Sequence, residues 1–290
     1  MEMKSINGFD RKFAGEEVKQ AIENVLNKYA EKRNDEMLEL AFSCIDLTTL
    51  NSTDTEARGK QFADNISNFS IQFPGLANVG AICVYPKLVP VVRENLKAES
   101  VNIAAVSAGF PSSMTFTDVK VMETKKTVEM GADEIDIVIS IGDFLAGNYE
   151  FVFDEIKQLK EACGDAHLKV ILETGALKTP EAIWKASLIA MHAGADFIKT
   201  STGKMEPAAT LEAAWVMTTA IRHYYEETGR KVGFKPAGGI STADEALQYL
   251  TVVGQVLGEE WMNNKLFRIG ASRLANRVLT ELVGEEVKYF

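Results

Sequence analysis

Val232-Gly233-Phe234-Lys235-Pro236-Ala237-Gly238-Gly239 ends an apolar run on a lysine and passes at once into proline, alanine and glycines. A strand buried on both faces that opens into a binding loop has this form. The same pattern stands earlier in the chain, in Phe197-Ile198-Lys199-Thr200-Ser201-Thr202-Gly203-Lys204. An ammonium at the end of a core strand is costly unless it is paired, or unless the amine is neutral. Two such lysines converging on one site would let one cation depress the pKa of the other. A neutral lysine can attack an aldehyde and form a Schiff base. The plainer alternative is a pair of lysines snorkelling at strand ends, and the glycines after both runs favour the site.

At its free pKa of about 10.4 a lysine is neutral at pH 7 in roughly one molecule in 2,500. Moving that pKa to about 7 makes half the population nucleophilic and costs roughly 4.6 kcal/mol of preference for the ammonium. Desolvation and a second ammonium nearby can supply the shift. On physics alone both Lys199 and Lys235 are candidate nucleophiles.

Working outward from these two runs, short apolar stretches alternate with longer amphipathic ones. Strands are expected at Ala41–Ile45, Val79–Val84, Ile103–Val106, Glu134–Ile139, Leu168–Glu173, Phe197–Lys199, Val232–Lys235 and Phe267–Ile269. Helices fill the intervals, several with cap chemistry at their starts, as at Thr179-Pro180-Glu181 and Ser241-Thr242. Gly-Ala-Asp precedes two strands, at Gly131-Ala132-Asp133 and Gly194-Ala195-Asp196. Eight strand–helix units over about 250 residues match an α/β (β/α)8 TIM barrel in residues 37–290. A doubly wound sheet would need a glycine fingerprint after its first strand, and Asp46-Leu47-Thr48-Thr49-Leu50 is nothing like one. Residues 1–36 form an N-terminal extension. Val18, Ile22, Val25, Leu26 and Tyr29 recur there at helical spacing, so an amphipathic helix is expected on the outside or bottom of the barrel.

Composition narrows the partners. The 290 residues are 46% hydrophobic and 25% charged, as in a soluble globular protein. A net charge of −10 argues against nucleic acid or an anionic membrane. No apolar run of membrane length and no secretory leader is read. Cys44, Cys83 and Cys163 are few and scattered, which suits a reducing cytoplasm. His167, His192 and His223 lie in no metal-ligand spacing, so no metal is expected.

In a (β/α)8 barrel the active site gathers at the carboxyl ends of the strands. The polar residues there are Asp46, Cys83, Asp136, Lys169, Glu173, Lys199 and Lys235. Asp136 interrupts an apolar strand and must face something polar, with Lys169 on the next strand as its natural partner. Thr200–Lys204 resembles the tail of a Walker A loop, but the first glycine is missing and Met205 follows, so nucleotide binding is rejected. A phosphate monoester fits better, held by Gly238-Gly239 after the seventh strand and Gly270-Ala271-Ser272 after the eighth.

Asp46–Leu50, Ala81-Ile82-Cys83-Val84-Tyr85-Pro86, Gly131–Asp136, Phe197–Lys204 and Gly233–Gly239 together resemble deoxyribose-phosphate aldolase, a class I aldolase family of the (β/α)8 type. The likeness runs from about residue 41 to 275. It implies reversible cleavage of 2-deoxy-D-ribose 5-phosphate to D-glyceraldehyde 3-phosphate and acetaldehyde in deoxyribonucleoside catabolism, with no metal or organic cofactor. By this resemblance Lys199 is the Schiff-base residue, Lys235 the neighbour that lowers its pKa, and Asp136 the group that handles protons through a water. Asp46, Cys83, Lys169, Thr202, Gly203, Lys204, Gly238, Gly239, Ser272 and Arg273 are the expected substrate-binding residues.

Two loops depart from the family pattern. Ser241 stands where a basic residue is usual, and Arg273 where a small one is, so Arg273 is expected to carry the charge at the phosphate from the other loop, the alternative being an exposed helix residue with no contact. The family's active-site tyrosine ends the chain, whereas here Tyr289 precedes Phe290. The expected partners are a small phosphorylated sugar and an aldehyde, and a homodimer is one assembly open to the chain. A Schiff-base aldolase for another donor or acceptor, and a silent barrel that senses sugar phosphates, are the rival readings.

Overall fold

The apolar runs that are too short for helices pair side by side. In the computed structural model, which describes residues 9–290, they form β1 (Ile45–Thr48), β2 (Ala81–Val84), β3 (Asn102–Val106), β4 (Glu134–Val138), β5 (His167–Ile171), β6 (Phe197–Lys199), β7 (Gly233–Lys235) and β8 (Ile269–Ala271). All pair in parallel in chain order, and β1 pairs with β8. Isolated parallel bridges, Phe234 to Phe267 and Ala237 to Gly270, bring β7 against β8 and nearly close the barrel. The fold is a (β/α)8 TIM barrel. Its helices are α1 (Gly15–Lys32) and α2 (Asp35–Ser43) before β1, then α3 (Glu56–Gln72), α4 (Val89–Asn95), α5 (Thr117–Glu129), α6 (Ile141–Leu145), α7 (Tyr149–Cys163), α8 (Thr174–Leu177), α9 (Pro180–His192), α10 (Leu211–Thr228), α11 (Ala243–Val256) and α12 (Leu274–Val283).

Side chains alternate across each strand, so the barrel sorts them into two cores. Ile45, Leu47, Ile82, Val84, Ile103, Ile135, Ile137, Leu168, Val170, Ile198 and Phe234 face outward into the large core beneath the helices. The inward set can be followed by register from Asp46 to Ala81, Cys83 to Ala104, Val106 to Asp136, Asp136 to Lys169, and Lys199 to Lys235. Apolar Ala81, Cys83, Ala104 and Val106 fill the β2–β3 side as a small separate cluster. Charged side chains fill the rest of the interior.

The first strand departs from expectation. Ala41–Ser43 belong to α2, and β1 begins only at Ile45. Leu38, Ala41 and Phe42 are buried at helical spacing, so this apolar run packs as the end of a helix. The amphipathic extension forms as α1, with Val18 and Val25 buried, and packs against α10 and α11 on the outside of the barrel. Leu26 is 41% exposed, which leaves a narrower stripe than the spacing implied. Residues 1–8 of the expected 1–36 segment lie outside the described residues.

The two Gly-Ala-Asp segments do equivalent work. Gly131 and Gly194 turn the chain at φ 107° and 109°, where other residues are strained. Asp133 then accepts from the Ile103 amide and pairs with Arg93, while Asp196 accepts from the Leu168 amide and pairs with Lys160. Each aspartate ties the foot of one strand to its neighbour. The caps also form, with Thr179 accepting from the Ala182 amide and Thr242 making a reciprocal capping box with Glu245. Among the described residues no helix is long and apolar enough to cross a membrane.

Candidate active site

Because β6 and β7 are in register at their last residues, Lys199 and Lys235 lie side by side facing inward. Both reach one atom. Lys199 Nζ is 2.7 Å and Lys235 Nζ 2.8 Å from Oδ2 of Asp136, which sits across the barrel on β4. Lys169 Nζ is 2.9 Å from the other oxygen, Oδ1. Below them Asp46 Oδ2 lies 2.5 Å from Lys235 Nζ, and Glu134 Oε2 lies 2.5 Å from Lys169 Nζ. Space for the Lys235 stem comes from Gly270 on β8, since a Cβ there would lie 3.3 Å from Lys235 Cε and 2.7 Å from Ala237 Cβ.

The three lysines differ in company, and their acidities follow. Burial favours the neutral form of Lys199 and the nearby Lys235 ammonium adds to it, so Lys199 falls below the ordinary lysine value despite Asp136. Burial opposes the ammonium of Lys235 as well, but Asp136 and Asp46 outweigh it and raise the value. Lys169 is raised in the same way by Asp136, Glu134 and Asp46. Asp136 would be pushed up by burial, yet Lys169, Lys199 and Lys235 hold it well below the usual carboxylate range. The arrangement therefore sets an amine shifted toward its neutral form beside an ammonium and a carboxylate that are held in their charged forms. That combination can add to a carbonyl and move the protons the addition requires. Cys83, fully buried on β2, feels the same charges, and burial pushes its thiol up.

The loops above are tied to one another. Thr202 Oγ1 donates to Glu173 Oε2 at 2.6 Å, and Glu173 itself holds a left-handed φ of 54°. Ser201 Oγ donates to the Ala237 carbonyl at 2.6 Å, joining the β6 loop to the β7 loop. Gly238 packs so closely that a Cβ would meet Gly203 Cα at 3.0 Å. Lys204 Nζ donates to the Leu50 carbonyl, which pins the β6 loop to the one after β1. Gly239, Ser272 and Arg273 lie in the loops after β7 and β8, the last two exposed at the start of α12. Ser241 is used in helix capping, its amide donating to Glu245 at 2.8 Å.

Two members of the charged cluster were not singled out from the sequence. Glu134 is two residues before Asp136 and shares its face, and Arg268 stands inside the apolar run before β8. Arg268 bonds Asp46 Oδ1 at 2.7 Å and Glu134 Oε1 at 2.9 Å. Period-two alternation alone would have marked both. Tyr289 goes elsewhere: its hydroxyl donates to the Asn65 carbonyl of α3 and its ring packs on Phe69 and Phe73. That end of α3 leads into the foot of β2, opposite the mouth. Among the described residues no group of His, Cys, Asp and Glu side chains is arranged to hold a metal ion.

The chain matches the DeoC/LacD family aldolase profile over residues 40–261. It is 45% identical over 249 residues to the deoxyribose-phosphate aldolase of Homo sapiens, covering 82% of this chain and 78% of that protein. Among solved structures it resembles QR15, an aldolase, with a TM-score of 0.69 and 29% identity over 84% of this chain and 99% of that one. The tetrameric deoxyribose phosphate aldolase from Aeropyrum pernix shares the fold at a TM-score of 0.70 and 20% identity, over 89% and 97% of the two chains.

Proposed function

This chain belongs to the DeoC/LacD family of aldolases, and from that premise we propose that it cleaves 2-deoxy-D-ribose 5-phosphate reversibly to D-glyceraldehyde 3-phosphate and acetaldehyde. The observation that carries the residue roles is the single Asp136 oxygen shared by Lys199 and Lys235, one amine lowered in pKa and the other raised. Neutral Lys199 attacks the C1 aldehyde of the open-chain sugar, and loss of water leaves an iminium. The C3 hydroxyl gives up its proton, the C2–C3 bond breaks, and its electron pair passes into the iminium to form an enamine. Glyceraldehyde 3-phosphate leaves. A proton returned to C2 and a water added to the iminium then release acetaldehyde and regenerate Lys199. Asp136, kept ionised, relays these protons through a water, and the Lys235 ammonium holds Lys199 neutral.

At the other end of the substrate the phosphate would meet Gly203, Lys204, Gly238, Gly239, Ser272 and Arg273, with the floor formed by Asp46, Cys83, Lys169 and Thr202. The same proposal includes a homodimer, which light scattering would test. It also includes a cytoplasmic setting, in keeping with three buried free cysteines.

Borohydride in the presence of acetaldehyde should add one ethyl group to Lys199 and none to Lys235, read by peptide mass spectrometry. Lys199→Ala should lose the adduct and roughly 10⁴-fold or more of kcat. A label on Lys235 would reassign the nucleophile, and no adduct at all would remove the Schiff-base reading.

A further inference from the structure

Seven ionisable groups of fixed partnership crowd the barrel axis: Asp46, Glu134 and Asp136 against Lys169, Lys199, Lys235 and Arg268, none more than 4% exposed. Element by element, β1 supplies Asp46, β4 Glu134 and Asp136, β5 Lys169, β6 Lys199 and β7 Lys235, with Arg268 just before β8. Cys83 on β2 is the other titratable group facing the lysines, and it stays a neutral thiol. The inner face of β3 brings no charge: Ala104 and Val106 are apolar, and Asn102 donates its side-chain amide to Glu134 Oε1 at 2.7 Å. Glu173 and Lys204 stand above, each already bonded within the loops.

With all seven ionised, four positive charges meet three negative ones, and one positive charge is left over where water cannot screen it. Releasing one proton relieves the surplus, and the cation with fewest anionic partners releases it most easily. Lys169 has three carboxylates within 3.5 Å, Lys235 and Arg268 have two each, and Lys199 has one. The surplus exists only because Arg268 is there. Its guanidinium bonds Asp46, Glu134 and the Asn264 carbonyl.

We propose that Arg268 and Glu134 are positioning residues that set the protonation of Lys199 through the charge balance of the buried cluster. Arg268 makes the cluster one cation too rich, and Lys199, at the mouth with one partner, is the site where the balance is restored. Glu134 acts in the opposite sense by cancelling part of that excess. The catalytic consequence rests on the reading of Lys199 as the nucleophile, whereas the protonation state is a property of the cluster itself.

The signs separate this role from simple support of the fold. Arg268→Gln removes the surplus, so Lys199 should keep its proton and its titration midpoint should rise by about one pH unit. Glu134→Gln enlarges the surplus, and the midpoint should fall by about as much. The double variant restores the count and should return within about 0.3 units of the starting value, and Arg268→Lys, which keeps the charge, should do the same. The midpoint is read by pulsed reductive methylation with formaldehyde and cyanoborohydride across a pH series, quantified on the Lys199 peptide, which needs no aldolase turnover. The low-pH limb of kcat/KM should move with it. Shifts of one sign in both single variants, no shift in Glu134→Gln, or a double variant that stays displaced would overturn the proposal. Should Arg268→Gln fail to fold, Glu134→Gln, Arg268→Lys and the double variant still decide it. If the midpoints move as stated while acetaldehyde leaves no adduct on Lys199, the aldolase reading fails and the charge-balance inference stands.

Discussion

Lys120 and Lys199 are both buried lysines beside β4, yet they are built for opposite ends. Lys120, on α5, spends its three protons on Ser113 Oγ at 2.8 Å, Ser140 Oγ at 2.9 Å and Glu155 Oε1 at 2.8 Å. Glu155, on α7, is completed by Ser140 and Thr117. One ammonium thus meets one carboxylate, and hydroxyls fill every remaining direction. On the inner side of β4 Lys199 has only Asp136, and must share its oxygen with Lys235. A buried lysine with a carboxylate of its own is a structural pin, whereas Lys199, whose one carboxylate is shared with two other lysines, gives up its proton more readily. The pin also has a place, because Ser113 holds a φ of 58° and donates to the Val138 carbonyl, fastening the loop after β3 to the end of β4.

Three substitutions press on this contrast, taken from the largest effect down. Lys120→Met strands the Glu155 carboxylate and should cost about 3–5 kcal/mol of stability, measured by urea unfolding. Glu155→Leu added to it should recover most of the loss, and acetaldehyde should still trap on Lys199 in the folded fraction. A Lys120 variant with unchanged stability would erase the distinction between the two lysines. Lys235→Leu acts on the sharing side. Removing that cation raises the pKa of Lys199, so less amine is neutral at a given pH and the low-pH limb of the rate should move upward by about one to two units. At pH 6 that is roughly 10- to 100-fold in kcat/KM, fading as pH rises. A limb that stays in place would mean Lys235 does not tune its neighbour. Arg273 is the third kind of cation, exposed at the mouth. If it donates to the substrate phosphate, Arg273→Ser should lower kcat/KM about 10-fold on 2-deoxyribose 5-phosphate and leave unphosphorylated 2-deoxyribose almost untouched. Equal loss on both substrates would assign it to folding.

The inward-facing, shared side of this contrast could be read from the chain and the pin could not. Lys199 and Lys235 interrupt apolar strands, and an ion within a strand of period two declares the face it must share. Glu134 and Arg268 carry the same mark one turn of the pleat away and were legible by the same rule. Lys120 sits in a helix among Lys125, Lys126, Glu123 and Glu129, where a charge is ordinary. Its partner Glu155 is 35 residues off on another helix, so only packing joins them. At Ala41–Ile45 the expected strand gives way to the end of α2 for a related reason, since a short apolar run has no period of its own and tertiary contact decides between helix and strand. The order of roles among the lysines came from family resemblance, because apolar spacing is blind to how many carboxylates each amine will share.

The barrel is closed at β7 and β8 by isolated bridges in place of a continuous ladder, and that joint holds Lys235 and Arg268 on its two sides. The helix α11 spans the joint from outside, and α1 lies across α11 with Arg33 paired to Asp244 and to Glu281 of α12. The N-terminal helix is therefore a hoop over the weakest stave. Its surface ion pairs are screened by salt, so the grip of that hoop on α11 and α12 should slacken as ionic strength rises.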